Sequence, residues 1–215
     1  MPSAHRVPGR TVEMSNRSMN SRYEALIGTY MDNQIGICDQ FLSKELAGEL
    51  QQNLIDLERA DRMKAAGIGN QQVKDDQQNK RGDKIFWLEN DTTDPAERAF
   101  FDQVDAFIAY LNHSCYTGIN SYEFHYAWYE KGSGYQRHID QFQNNSDRKF
   151  SLINYLNTDW LEEDGGELCI YQEDRVKKIL PQMQKAVFFK SDTSEHEVCK
   201  STRPRMSITG WLKSC

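Results

Sequence analysis

The hydrophobic period of this chain changes near residue 115, and that change limits the folds open to it more than any other feature. Before it, apolar residues recur every three to four positions, as on one face of a helix. After it they fall into short runs with period two: residues 121–130 (SYEFHYAWYE), 135–140 (YQRHID), 150–157 (FSLINYLN), 166–172 (GELCIYQ), 185–190 (KAVFFK) and 205–212 (RMSITGWL). Gly, Asn and Asp turns separate these runs. Helices followed by many short strands predict an α+β protein with a sandwich or barrel at its C-terminal end.

The helical half carries its own start and stop signals. A modest helix is expected around Tyr23–Tyr30, then a short strand within residues 35–42 (IGICDQFL). Ser43 is an N-cap candidate for a second helix, with Leu46, Leu50, Leu54 and Leu57 on one face and Gly67 and Gly69 as its end. A third helix begins with Asp94 as N-cap, Pro95 at its first position and Glu97 as the capping-box partner. Its buried stripe is Phe100, Val104, Phe107, Ile108 and Leu111. Residues 1–22 have no periodicity and read as a flexible tail, which leaves 23–215 as a single domain. The nearly apolar-free stretch NQQVKDDQQNKRGD reads as a mobile surface loop over about residues 70–82.

Composition narrows the function classes. Twenty-six Lys and Arg against 32 Asp and Glu give a net charge of −6, so no nucleic-acid partner is expected. No apolar run approaches the roughly 20 residues of a membrane helix, and MPSAHRVPGRTVEMSNRSMNS contains no apolar signal segment. The five cysteines are an odd number without a C-x-x-C pair, which suits reduced thiols and a cytoplasmic location. A monomer is the default.

His138, Asp140 and His196 carry the chemical signal. His-x-Asp on a strand puts both side chains on one face, and a distant histidine returns to that face only through the fold. Two imidazoles and one carboxylate suit ferrous iron and leave half of an octahedron open. Taken alone, His-x-Asp is common, and a structural histidine is its commoner meaning. The last strand adds weight. Arg205, Ser207, Thr209 and Trp211 share a face opposite Met206, Ile208 and Leu212. A cation and a hydroxyl four residues apart on an inward face are costly unless they hold a carboxylate, whereas an outward polar edge would need no such partner.

Together GSGYQRHID, INYLN, DGGELCIY, SDTSEHEV, Arg205 nine residues after His196, and SITGW resemble the 2-oxoglutarate- and Fe(II)-dependent oxygenases. More narrowly, the set is similar to the prolyl 4-hydroxylase branch that holds the hypoxia-inducible-factor prolyl hydroxylases and their bacterial relatives. RGDKIFWLE resembles the segment after the substrate loop of that branch, and the resemblance spans about residues 35–213. It implies a double-stranded β-helix, of jelly-roll or cupin type, buttressed by N-terminal helices. His138, Asp140 and His196 would hold iron, Arg205 the far carboxylate of 2-oxoglutarate, with Thr209, Tyr155 and Tyr129 beside it. Arg203 competes for the anchoring role but is two residues out of the family spacing. Tyr135 and Trp211 would line the pocket, and Arg81 and Asp83 would form an ion pair near the loop.

The resemblance also implies Fe(II), 2-oxoglutarate and O2 as cofactors, ascorbate as reductant, and conversion of 2-oxoglutarate to succinate and CO2. The favoured substrate is a proline in an exposed loop of a protein, with elongation factor Tu as first candidate. Two alternatives stand beside it: an oxygenase of a free amino acid or small molecule, and a catalytically idle metal-binding interaction module. Nucleic-acid dealkylation is disfavoured because the second Arg of that group would fall at Trp211. Cys199 departs from the family's usual proline and is expected to be a packed strand cysteine. His125 is expected to be a pocket or core residue without a ligand role.

Overall fold

The period-two segments pair into two antiparallel sheets. The computed structural model describes residues 9–67, 81–141 and 147–214, with side chains from residue 19 onward. Three helices are present among these residues: α1 (Gly9–Asn33), α2 (Lys44–Arg59) and α3 (Pro95–Cys115). The strands are β1 (Ile35–Cys38), β2 (Lys64–Ala65), β3 (Asp83–Trp87), β4 (Ser121–Tyr129), β5 (Tyr135–His138), β6 (Arg148–Tyr155), β7 (Leu168–Gln172), β8 (Arg175–Ile179), β9 (Ala186–Lys190), β10 (His196–Val198) and β11 (Arg205–Lys213). The major sheet has the order β1-β9-β6-β11-β4-β3-β2, and the minor sheet β5-β10-β7-β8. This is the α+β double-stranded β-helix with helices against one sheet.

Alternation along each central strand assigns its residues to two cores. Phe124 and Tyr126 of β4, Leu152 of β6, Phe188 of β9, and Ile208 and Leu212 of β11 pack with Leu50, Leu54, Phe100, Val104 and Phe107 of the helices. The opposite parity, Ala127 and Tyr129, Ile153 and Tyr155, Val187 and Phe189, meets Leu168, Ile170 and Val198 of the minor sheet. A one-residue slip in any of these strands would exchange the two sets, so the register is strongly fixed. The β11–β4 pairing places Arg205 opposite Tyr129 and Thr209 opposite His125. One row of side chains therefore runs from the deep interior toward the open end.

Several expectations need correction. Helix α1 begins at Gly9, so residues 9–22 are helical where a tail was expected, and residues 1–8 lie outside the described residues. Tyr23 and Leu26 are buried, and Met19 packs against the same core. Once that segment is anchored, adding turns N-terminally fixes one residue for each new hydrogen bond, so the helix extends beyond its periodic part. Helix α2 ends before Gly67: Asp61, at φ 52°, closes it, with Asp61 N donating to Glu58 O and Arg62 N to Leu57 O. That is a Schellman closure with Asp in the left-handed position usually held by Gly. In α3 the Asp94 cap forms as expected, but Glu97 accepts from Thr92 Oγ1 instead of closing a box on the Asp94 backbone. The polar loop expected over about 70–82 lies outside the described residues as far as position 80. Strand β8 had no apolar alternation to announce it, since Arg175, Lys177 and Lys178 are exposed at a sheet edge.

Candidate metal and cosubstrate site

Strands β5 and β10 pair so that His138 and His196 are direct Cα partners. Their rings lie 4.3 Å apart, and Asp140, just past the end of β5, completes the group. His138 Nε2 is 3.6 Å from Asp140 Oδ1, and His196 Nε2 is 3.7 Å from Asp140 Oδ2. On their far sides the rings meet backbone carbonyls: His138 Nδ1 and Gln136 O are 2.7 Å apart, His196 Nδ1 and Ser194 O 2.9 Å. A carbonyl can only accept, so each Nδ1 carries the proton and each Nε2 turns a lone pair toward the carboxylate. This is the arrangement by which outer contacts orient metal-binding imidazoles.

Asp140 is buried, and its carboxyl is nonetheless held well below the usual range: burial opposes ionisation, but the His196 and His138 rings and the Ser151 hydroxyl outweigh it. Ser151 Oγ donates to Asp140 Oδ2 at 2.6 Å and lies 2.9 Å from Ser191 Oγ. His196 is pushed below its ordinary value, first by burial and also by His138, while Asp140 works the other way. An ionised aspartate and two imidazoles that present Nε2 to one point are the donor set a divalent cation requires. The three side chains fit a metal.

Arg205 lies deeper in the same cavity, 2% exposed. Its Nε donates to Gly166 O at 2.8 Å, its guanidinium lies over the Tyr155 and Tyr129 rings, and its Nη2 is buried without a partner. Among the described residues no carboxylate is in ion-pair distance of it. The Tyr155 hydroxyl is likewise buried and unpartnered, with its pKa pushed up to about 12 by burial. A buried cation beside an orphaned hydroxyl is costly without an anion, so both groups are suited to a ligand carboxylate. Gly166 makes room for the guanidinium. At φ +70°, an added Cβ would sit 3.3 Å from Arg205 Cδ and 3.1 Å from Trp160. Arg203, by contrast, is used at the surface: it pairs with Asp164 at 3.3 Å and donates to Thr158 O.

The remaining sequence candidates line the same cavity: Tyr129, Tyr135, Thr209, Trp211, Arg81 and Asp83. Tyr135 stacks on His138 at 3.6 Å. Arg81 grips Asp83 with two bonds of 2.7 and 3.0 Å and lies over the Tyr135 ring, so the ion pair forms part of the wall. Trp211 lies under Arg148 and beside His125, and the exposed Trp87 packs against both rings. His125 is fully buried with an unpartnered Nδ1, and burial, then Arg81, pushes its pKa down to about 3. Ser151, Ser191 and Trp87 were missed from the sequence. Ser151 was within reach, because it shares strand parity with Ile153 and Tyr155.

Comparison with known proteins agrees with this geometry. Residues 124–213 match the sequence model of the 2OG-Fe(II) oxygenase superfamily. Egl nine homolog 1 of Homo sapiens is 30% identical over 192 residues, covering 83% of this chain and 44% of that protein. The rat protein of the same name is 29% identical over 192 residues, covering 55% of its own length, so the chain spans about half of these relatives. A Pseudomonas putida prolyl-4-hydroxylase superposes with a TM-score of 0.81 at 25% identity, over 90% of this chain and 99% of that one. A Trichoplax adhaerens prolyl hydroxylase, solved with a hypoxia inducible factor peptide fragment, gives 0.81 at 26% identity, over 97% and 94%.

Residues 124–213 carry a 2-oxoglutarate–Fe(II) oxygenase domain, and over most of its length the chain is similar to prolyl hydroxylases. The family uses Fe(II), 2-oxoglutarate and O2, and the His138–Asp140–His196 group with the unneutralised Arg205 is chemically matched to the first two. No helix among the described residues is long and apolar enough to cross a membrane.

Proposed function

We propose that this chain is an Fe(II)- and 2-oxoglutarate-dependent prolyl 4-hydroxylase acting on a proline in a protein. The observation that carries the reading is the buried, unneutralised Arg205 in the same cavity as the two imidazoles and Asp140. An idle metal-binding module has no use for a buried cation awaiting a carboxylate.

In this reading, His138 Nε2, His196 Nε2 and Asp140 hold the iron, and Ser151 keeps the carboxylate turned toward it. Arg205 and the Tyr155 hydroxyl bind the far carboxylate of 2-oxoglutarate, with Thr209 and Tyr129 alongside. Iron with 2-oxoglutarate and O2 supplies the oxidising power to hydroxylate an unactivated C–H bond, the keto acid leaving as succinate and CO2. The protein's part is to position the groups and exclude water. Tyr135, Trp87, Trp211 and the Arg81–Asp83 pair shape the mouth at which the substrate residue would arrive. The peptide held by the Trichoplax relative supports a protein substrate over a free amino acid.

Elongation factor Tu is the first candidate to test. A cytoplasmic monomer with ascorbate as reductant completes the proposal. The test is to incubate a proteome with wild-type and His196→Ala protein and map one-oxygen mass gains. Gains on prolyl residues in the wild-type sample alone support the reading. Gains on other residues replace the substrate class, and no gain together with no succinate formation removes the activity.

A further inference from the structure

A second cluster of metal-binding side chains lies on the opposite face of the strand that carries His196. Alternation along β10 sends His196 and Val198 inward and Glu197 outward, where it is the Cα partner of Cys169 on β7. Cys199, one residue beyond β10, returns to the same outer face, with its Sγ 3.2 Å from Cys169 Sγ and 3.9 Å from Glu197 Oε1. The ligand atoms of Cys169, Glu197 and Cys199 all lie within 4.8 Å of one another. Cys169 is buried, while the other two are partly open to solvent.

We infer that Cys169, Cys199 and Glu197 form a second metal site, taking a borderline-soft divalent cation of the zinc class with water as fourth ligand. Two thiolates and a carboxylate are within zinc's usual donor range, and an open fourth position is common for it. Two thiolates sharing a tetrahedral zinc at about 2.3 Å stand roughly 3.8 Å apart. Reaching that separation from 3.2 Å needs an opening of about 0.6 Å. A disulfide at about 2.04 Å would need the sulfurs to close by about 1.2 Å.

The surroundings favour the metal as well. Tyr171 OH donates to Glu197 Oε1 at 2.7 Å, which fixes the carboxylate as an outer contact fixes a metal ligand and leaves its second oxygen available. Arg137 lies 3.9 Å over the Tyr171 ring and pairs with Glu195, steadying that tyrosine. Burial first, then Cys169 and the carboxylates of Glu197 and Glu167, pushes the Cys199 thiol up to about 12. Burial also raises Cys169, with Lys178 the cation facing it across the sheet. Both shifts keep the thiols protonated in the empty cluster, so a bound dication has to displace two protons, and it offsets the charge of the neighbouring carboxylates.

Cobalt(II) tests the inference without relying on enzyme activity, since only a thiolate ligand gives cobalt an intense near-ultraviolet charge-transfer band. The first site has no thiol. The reduced full chain, carrying Cys115→Ser and Cys215→Ser so that buried Cys38 is the one thiol left outside the cluster, is titrated anaerobically. Two bound equivalents and the thiolate band are expected, and zinc should bleach the band. Cys169→Ser or Cys199→Ser should lose the band and one equivalent while keeping the other, which also reports that the variant folds. His138→Ala should keep the band and lose the other equivalent, so the two sites fail separately. No band in the reduced protein, or a band that survives both cysteine substitutions, overturns the inference. So does a Cys169–Cys199 disulfide whose reduction restores no cobalt binding.

Discussion

Replacing Arg205 with methionine keeps most of the side-chain volume and removes only the guanidinium. In the free protein that guanidinium is a buried cation with one bond to Gly166 O and an unpartnered Nη2, so its loss costs little. Exchanging a buried charge for an apolar group of similar size is often neutral, and the lost hydrogen bond is worth about 1 kcal/mol. The melting temperature should therefore move by no more than about 4 °C. Ligand binding should respond differently. A ligand carboxylate in this pocket would lose its counter-charge and stay buried, a situation that costs about 3–5 kcal/mol. At about 1.36 kcal/mol per tenfold, the Kd for 2-oxoglutarate should rise by roughly two to nearly four orders of magnitude. Arg203→Met removes a surface pair worth about 0–1 kcal/mol and should leave that Kd within about threefold. Anaerobic calorimetry of the Fe(II)-loaded variants reads both numbers. Equal Kd values for the two variants, or an unchanged Kd for Arg205→Met, would refute the assignment of the buried cation to the keto acid.

Ser151→Ala leaves Asp140 Oδ2 without its donor, and should lower Fe(II) affinity by about 10- to 100-fold in a competitive chelator titration. Gly166→Ala places a Cβ against Ser201, Trp160 and Arg205 at positive φ, and should destabilise by about 1–3 kcal/mol in urea while weakening 2-oxoglutarate binding. His125 should make stability depend on pH. Its folded pKa, pushed down to about 3, lies below the unfolded value near 6.5, so the unfolded chain binds the extra proton. That contribution is fully present above about pH 6.5 and is lost progressively toward pH 3, the loss reaching about 2 kcal/mol by pH 5. Metal-free His125→Phe should show a flatter fall in urea midpoint between pH 7 and pH 5, and an unchanged slope would count against the burial argument.

Legibility from sequence followed the range of the interaction involved. Segments whose structure depends on local pattern could be read: the alternation of β4, β6, β9 and β11, the Ser43 and Asp94 caps, and the facing of Arg205, Thr209 and Trp211. Where a local rule had a substitute, the reading slipped. Asp61 ended α2 in the left-handed position that Gly67 and Gly69 were expected to supply, and β8 is held by pairing with β7 despite a run of charge. Helix α1 extends past its periodic part because its anchor, Tyr23 and Leu26, is a long-range contact with α3 and β-strand residues.

The site divides along the same line. Each imidazole's partner is a carbonyl two residues away, so its tautomer is set locally, and the His-x-Asp pair needed only strand parity to be seen. The choice between Arg203 and Arg205 could not be made from parity, because both have it. It is decided by Asp164 and Thr158, which occupy the first, and by Gly166, which opens space for the second. Those three residues lie some 40 positions upstream, in the segment between β6 and β7 that contains the 3-10 turn Glu162–Asp164. One loop thus consumes the exposed cation and creates room for the buried one. In the proposed assignment the arginine left to bind a carboxylate is thus set by this loop and not by β11: changing Asp164 should free Arg203 and disturb Leu161 and Thr202, whereas changing Gly166 should reach the pocket.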